Sequence, residues 1–279
     1  MTHPIWPTTA AELIDAQRAL AAATPRPWVP GREPSVPGPE RWAPGPEPRL
    51  PGLKSDALAV GAQSDALAVR AKDDALAVGA AVVVFPRHRA GPGASGDPAW
   101  TAAIVLRGRS VIAEATIATH ATAPYEPGLL ALREGPSLEA VVNALAHSPD
   151  VLLVDATGRD HPRRAGLALH LGAVLGLPTV GVTHRPLLAE GPWPDDERGA
   201  HSPLWLDGAC VGAWLRTRGG ARPLAVHPGW RTTLEDAIDV VLASTHAHRT
   251  PEAIRRSRQL ARVMRATNGN DVASSAPDK

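Results

Sequence analysis

The residues able to do chemistry concentrate between positions 125 and 164. Asp155 ends the apolar run DVLLVD, and His161 follows six residues later with Pro162, Arg163 and Arg164 directly behind it. A carboxylate at the end of a buried strand stands where open α/β sheets bind ligands, and its oxygens suit a hard divalent cation. The plainer role for Asp155 is to cap the element that follows. Glu134 lies upstream in PYEPGLLALREGPS, and its helix is expected to carry it on an exposed end near the sheet edge. A helix carboxylate beside a strand-end carboxylate can hold Mg²⁺ or Mn²⁺. Such an ion activates water and steadies the leaving oxygen of a phosphodiester. The alternative is a Glu134 that is simply solvated.

Arg163 and Arg164 are expected to open a helix, where backbone donors and guanidinium groups together suit a phosphate, or else to form a solvated basic helix start. Gly158 permits close backbone approach to a ligand. Tyr125, the only tyrosine, stands between Pro124 and Pro127 with Glu126 and Gly128 beside it. A rigid turn presenting a ring suits stacking on a base or wedging into a duplex. A buried turn aromatic is the other option.

The elements that position these groups follow from periodicity. A helix is expected over 8–23, capped by Thr8 or Thr9, with Leu13, Ala16 and Leu20 on one face. Residues 25–51 hold ten prolines, which exclude helix and sheet and read as an extended arm. Trp28 and Trp42 in it are expected to dock on the domain. A nine-residue repeat runs from Ser55 to Ala81 (SDALAVGAQ, SDALAVRAK, DDALAVGAA) and reads as a local duplication whose last copy feeds a strand at 78–85. Strands at 100–106 and 111–119, joined by a turn at 107–110, complete an antiparallel meander. Then come a helix near 127–147 with Leu138, Val141, Val142 and Leu145 on one face, a buried strand at 150–155, a helix at 163–176 and a buried strand at 178–182. A hairpin at 204–218, a strand at 223–227 and helices near 232–246 and 251–266 close the pattern. Strands first, then alternation with helices, imply a mixed sheet flanked by helices. The expected organisation is an N-terminal helix (1–24), a proline-rich linker (25–54), repeats (55–81), an α/β domain (78–266) and a disordered tail (267–279).

Composition sets limits. With 29 basic and 28 acidic residues the net charge is +1, so any basic surface is local. The single cysteine, Cys210, excludes an internal disulfide and is expected to pack in an apolar strand. No run reaches the ~20 apolar residues of a membrane span, and no secretory signal is visible. A cytoplasmic protein with no membrane partner is the expectation.

Four consecutive blocks, PYEPGLLALREGP, LLVDATGRDHPRRAGLALHLG, LPTVGVTHRPL and GAWLRTRGGARPLAVHPGWRTTLEDAID, resemble the endonuclease V family. The likeness runs from Tyr125 to about Arg265, with a weaker match in WPTTAAELIDAQ. It implies a ribonuclease-H-like fold and, with Mg²⁺ (or Mn²⁺), cutting of the second phosphodiester 3′ to deoxyinosine in DNA repair; eukaryotic members prefer inosine in RNA. It also implies Tyr125 as the wedge, in a turn with Pro127 and Gly128, and Glu134 and Asp155 as metal-binding carboxylates. His161 of the HPR motif belongs to the catalytic set. Gly158, Arg163, Arg164, Arg216, Arg218 and Arg231 fall on the nucleic-acid side.

Three residues expected of the family are absent, and one loop also departs. The first-strand aspartate falls on Val82, or on Ala81 one residue earlier; neither binds metal. His184 stands where the family has a lysine, and Trp230 where it has a histidine. Ala156 replaces a glycine, its methyl expected to crowd a flipped base, and Arg159 and Asp160 replace apolar or small residues. The expected outcome is a nucleic-acid-binding protein with weakened or lost hydrolysis. One alternative keeps an active nuclease, with His184, His161 and Asp160 joining the two carboxylates around Mn²⁺ or Zn²⁺. Another is an interaction module whose proline-rich arm recruits a protein partner.

Overall fold

The structure, a computed structural model, describes residues 6–30, 76–87 and 91–274, with side chains through residue 267. Trp42 and most of the proline-rich and repeat segments lie outside the described residues.

Eight strands form one mixed sheet in the order β3-β2-β1-β4-β5-β8-β7-β6. Strands β1 (Ala77–Val84), β2 (Pro98–Arg107) and β3 (Ser110–His120) are the expected antiparallel meander, and Gly108 at φ 59° takes the β2–β3 turn. β4 (Val151–Val154) lies parallel between β1 and β5 (Thr179–Thr183), and all its residues are buried. That explains its unbroken apolar run. The hairpin β6 (His201–Leu206) and β7 (Ala209–Leu215) extends the sheet through β8 (Leu224–Pro228), which runs antiparallel to β5.

Helices cover both faces. α1 (Ala10–Ala22), α2 (Leu130–Asn143) and α3 (Leu167–Leu175) pack on one side over a core containing Leu13, Leu132, Leu138, Leu152 and Val154. α4 (Leu234–Ala243) and α5 (Glu252–Ser274) pack on the other, over Val82, Leu153, Val180 and Ile254. α1 starts in a capping box between Thr9 and Glu12, and α4 in one between Thr233 and Asp236. Pro136 interrupts α2 and leaves the Leu132 carbonyl without its helical donor; the Thr122 hydroxyl donates to that carbonyl instead. Trp28 is buried in the core and its N–H donates to the Arg231 carbonyl (2.7 Å), so this tryptophan docks as expected.

Three expectations need correction. The helix after β4 starts at Leu167, not 163, because Arg164 sits in the left-handed region (φ 57°) and Gly166 caps the helix from an extended conformation. The last helix runs to Ser274, through much of the segment expected to be a disordered tail; the next proline is Pro277, so nothing earlier removes a donor from the helical ladder. Cys210 is exposed rather than packed, since it lies at the solvent-facing start of β7 beside the hairpin tip. No helix among the described residues is long and apolar enough to cross a membrane.

Candidate nucleic-acid interface and metal corner

The parallel strands β1, β4 and β5 end at one edge of the sheet, and Asp155 and His184 are the residues that directly follow β4 and β5. Alternation along β1 and β4 decides what stands next to Asp155. Ala81 pairs with Val154, so one step further places Val82 beside Asp155. Val82 is 4 % exposed and packed in the core under α4 and α5. An apolar side chain therefore occupies the strand position nearest the carboxylate. Asp155 is open to solvent and holds an ion pair with Arg258 of α5, Nη2 to Oδ2 at 2.6 Å.

Glu134 sits in the second turn of α2 and is half-buried, not on the exposed end expected of it. Pro136 follows it, and the helix lies against β1 and β2. Burial pushes its carboxyl up to about 8, the negative charge of Asp155 adds to the rise, and the Arg133 cation opposes it. Arg133 itself is buried, paired with Asp97 (2.8 Å) and bonded to the carbonyls of Ala94 and Ala123. His184 lies within the fields of Asp155, Arg249 and Arg258; burial and then Arg249 lower its pKa, against the pull of Asp155.

The residues of the HPR motif turn away from this corner to hold the tyrosine turn. The carbonyl of Gly128 accepts from three donors: Arg163 Nη2 (2.7 Å), His161 Nε2 (3.1 Å) and Gln17 Nε2 of α1 (3.1 Å). Arg163 Nε also donates to Gln17 Oε1 (2.5 Å). His161 Nδ1 accepts from the Arg163 amide (3.2 Å), so both ring nitrogens are committed, and burial holds the ring neutral with a pKa near 4. Gly128 has φ 78°, a conformation that favours glycine. Tyr125 donates its amide to the Gly93 carbonyl and presents its ring to solvent, 45 % exposed. It is not a buried turn aromatic.

Asp160 is fully buried, and its carboxylate accepts the amides of Leu187 (2.5 Å), Leu188 (2.9 Å) and Ala189 (2.8 Å). Sequence reasoning offered it only as a spare metal ligand. The signal available was an acid at a position the family fills with a small or apolar residue.

The remaining residues expected on the nucleic-acid side are placed as follows. Arg163 and Arg164 lie in the turn before α3, and Arg164 bonds to the Leu206 carbonyl and to Asp207. Arg216 is buried, with its guanidinium turned onto the carbonyls of Pro194, Asp195 and Ala221. Arg231 donates to the Arg26 carbonyl. Arg218, which reaches the Ala247 carbonyl at 3.3 Å, keeps an exposed position. A Cβ on Gly158 would meet the Pro228 carbonyl at 2.1 Å, so the close approach made there is to β8, not to a ligand. Ala156 is packed in the core under α2 and α3, where its methyl meets protein.

Glu134 and Asp155 are the two carboxylates left to hold a Mg²⁺, an ion that takes one or two protein carboxylates together with water and phosphate oxygens, and among the described residues no third ligand stands beside them. Val82 fills the third corner and Arg258 competes for Asp155. The completing groups Asp160 and His161 are bonded elsewhere. Among the described residues no three His, Cys, Asp or Glu side chains come together as a metal site.

Comparison with known proteins adds to this. The model of the family described as endonuclease V matches residues 89–259, a stretch that begins after β1. Endonuclease V of Streptomyces coelicolor is 44% identical over 169 residues, 60% of this chain and 72% of that one. The crystal structure of endonuclease V from Streptomyces avermitilis superposes with TM-score 0.69 at 31% identity, covering 94% of this chain and 96% of that one. Endonuclease V of Ciona intestinalis, solved with a 24mer DNA containing an inosine followed by a ribo-adenosine, shares the fold at TM-score 0.58 and 20% identity, over 69% of this chain and 87% of that one.

Proposed function

Because this chain belongs to the endonuclease V family, we propose that it binds inosine-containing DNA while its metal-dependent phosphodiester hydrolysis is weakened or lost. One juxtaposition carries the proposal: Val82 stands in register beside Asp155, where a third carboxylate is needed. The loss of a ligand to a charge-stabilising ion removes several kcal/mol of transition-state stabilisation, and each ~1.4 kcal/mol is tenfold in rate.

The binding half is supported by the turn that presents Tyr125. Its backbone is tied to α1, to His161 and to Arg163 through one carbonyl. A ring held on a fixed turn loses little entropy when it enters a base stack. The Ciona protein was captured on inosine-containing DNA, and the shared fold makes the same kind of strand the ligand to try first.

The test is an end-labelled strand bearing one deoxyinosine, incubated with the protein in Mg²⁺ and then Mn²⁺, beside an Asp155→Ala control. The expected result is a gel shift that favours the deoxyinosine strand, with little or no cutting. A discrete cut just 3′ of the inosine, absent in the control, overturns the loss of hydrolysis. That outcome would favour the second reading, an active nuclease with altered ligation, for which the proximity of His184 to Asp155 speaks. The matching RNA strand in the same gel reports which sugar the protein prefers.

A further inference from the structure

No motif singled out Arg258 of α5, yet it makes the ion pair that closes on the corner. Its side chain is 20% exposed against 38% for Asp155, and the pair closes at 2.6 Å. The arginine does not arrive by chance of a loose side chain. Ser257, the residue before it, donates its hydroxyl to the Ala80 carbonyl (2.9 Å) and is fully buried. That bond fastens α5 to the strand carrying Val82, two residues before it. The same helix therefore faces the apolar substitution and supplies a cation to the carboxylate beside it.

A guanidinium remains charged at any pH a protein tolerates, and it donates from a rigid planar fork. It is also large enough to bridge a carboxylate and a phosphate, each with charge-assisted bonds. A divalent ion entering at Asp155 must displace that bond and sit beside a positive charge. Glu134 would be its one remaining uncompeted carboxylate. Arg249 lies close enough to His184 for its charge to act there along with that of Arg258 and against that of Asp155, so two cations already face the corner.

We propose that Arg258 is the resident cation of this corner: its guanidinium takes the position at Asp155 that a divalent metal would need, and lets the site receive a nucleic-acid phosphate in the absence of metal. The assignment rests on the reading of Glu134 and Asp155 as the remainder of a metal site. It makes the change at Val82 and the arginine on α5 two parts of one alteration, the first removing a ligand and the second replacing the charge of the ion.

The experiment uses Mn²⁺ alone as probe, followed by the electron paramagnetic resonance of the free hexa-aquo ion during titration into the full-length chain. The proteins are the native chain, Arg258→Gln, which removes the charge and keeps a polar, aliphatic-stemmed side chain, and Arg258→Gln with Val82→Asp. Circular dichroism and a melting curve accompany each. Native protein is expected to leave Mn²⁺ free. Arg258→Gln should bind it about 10- to 100-fold more tightly, the range that a change beside a metal ligand produces, and the double variant more tightly again. Native protein that binds Mn²⁺ as well as a folded Arg258→Gln overturns the proposal. If the double variant does not fold, the single variant decides alone. A separate gel shift on the deoxyinosine strand is run in EDTA and in Mn²⁺. Equal shifts by native protein are expected, and a shift that requires Mn²⁺ overturns the metal-free role. If native protein ignores the deoxyinosine strand altogether, the proposed function fails, while the Mn²⁺ titration still judges Arg258.

Discussion

Around Gly128 and Asp160 the polar groups are matched many times over, whereas at Asp155 a single exposed ion pair stands beside an apolar strand. One Gly128 carbonyl takes three donors and one Asp160 carboxylate takes three amides, all partly or wholly buried. Asp155 has Arg258 and open solvent. The first region is built from bonds whose loss would be felt by the fold, the second from groups whose loss would be felt only by a ligand. A buried acceptor that serves several amides is hard to replace. An exposed pair contributes about 0–1 kcal/mol and is free to change. A protein that kept its grip and lost its cut would differ between its regions in this way.

The comparison is broken or sharpened most by Asp160→Ala, which takes a buried acceptor away from three backbone amides. It should cost about 3 kcal/mol or more, seen as a drop in melting temperature, while Asp155→Ala stays within about 1 kcal/mol of native. Equal losses from the two would dissolve the distinction. Next in size, Tyr125→Ala should weaken binding to the deoxyinosine strand by about 1–3 kcal/mol, the worth of one stacked base, with the melting temperature unchanged; a destabilised Tyr125→Ala would make the ring structural. Gly128→Ala forces a Cβ into a left-handed backbone and toward Arg163, and should lower stability by about 1 kcal/mol, read by urea unfolding.

The pH effects are read as slopes rather than single losses, and the two regions carry opposite signs. Glu134 has a folded pKa raised from 4.5 to about 8, so its contribution is fully present below pH 4.5 and is lost as pH rises through 8. Glu134→Gln should flatten that decline. His161, His170 and His227 are held near 4 from 6.5 by burial, so their contribution is present above pH 6.5 and is lost as pH falls toward 4. Melting temperature measured across pH 4–9 separates the two slopes.

The sheet and its helices were legible because periodicity and turn residues act over a few positions. DVLLVD reads as a buried strand with nothing else known, and TTAAEL reads as a capping box. The turn at 161–166 was not legible, because a helix pattern continues across it while Arg164 adopts a left-handed backbone stabilised by distant contacts to Leu206 and Asp207. The two carboxylates and the exposed tyrosine were found from residue type and neighbours. Their partners were not, since Arg258 lies 103 positions from Asp155 and Gln17 lies 146 from Arg163. No local pattern announces a pair at that separation. Arg216 came from the family resemblance alone, and its burial follows from the carbonyls of Pro194, Asp195 and Ala221, which no local pattern announces.

The attachment of α1 has a consequence for how the chain reaches this structure. α1 precedes the sheet in the chain, yet the hydrogen bonds of its Gln17 go to Gly128 and Arg163, more than a hundred residues later. A lone helix of this length is marginal in water, so it has little reason to persist while the middle of the chain is being made. The meander β1–β2–β3 closes through near neighbours, but β1 gains its second partner only when β4 emerges. α1 therefore gains the bonds that hold Gln17 only once Gly128 and Arg163 are present.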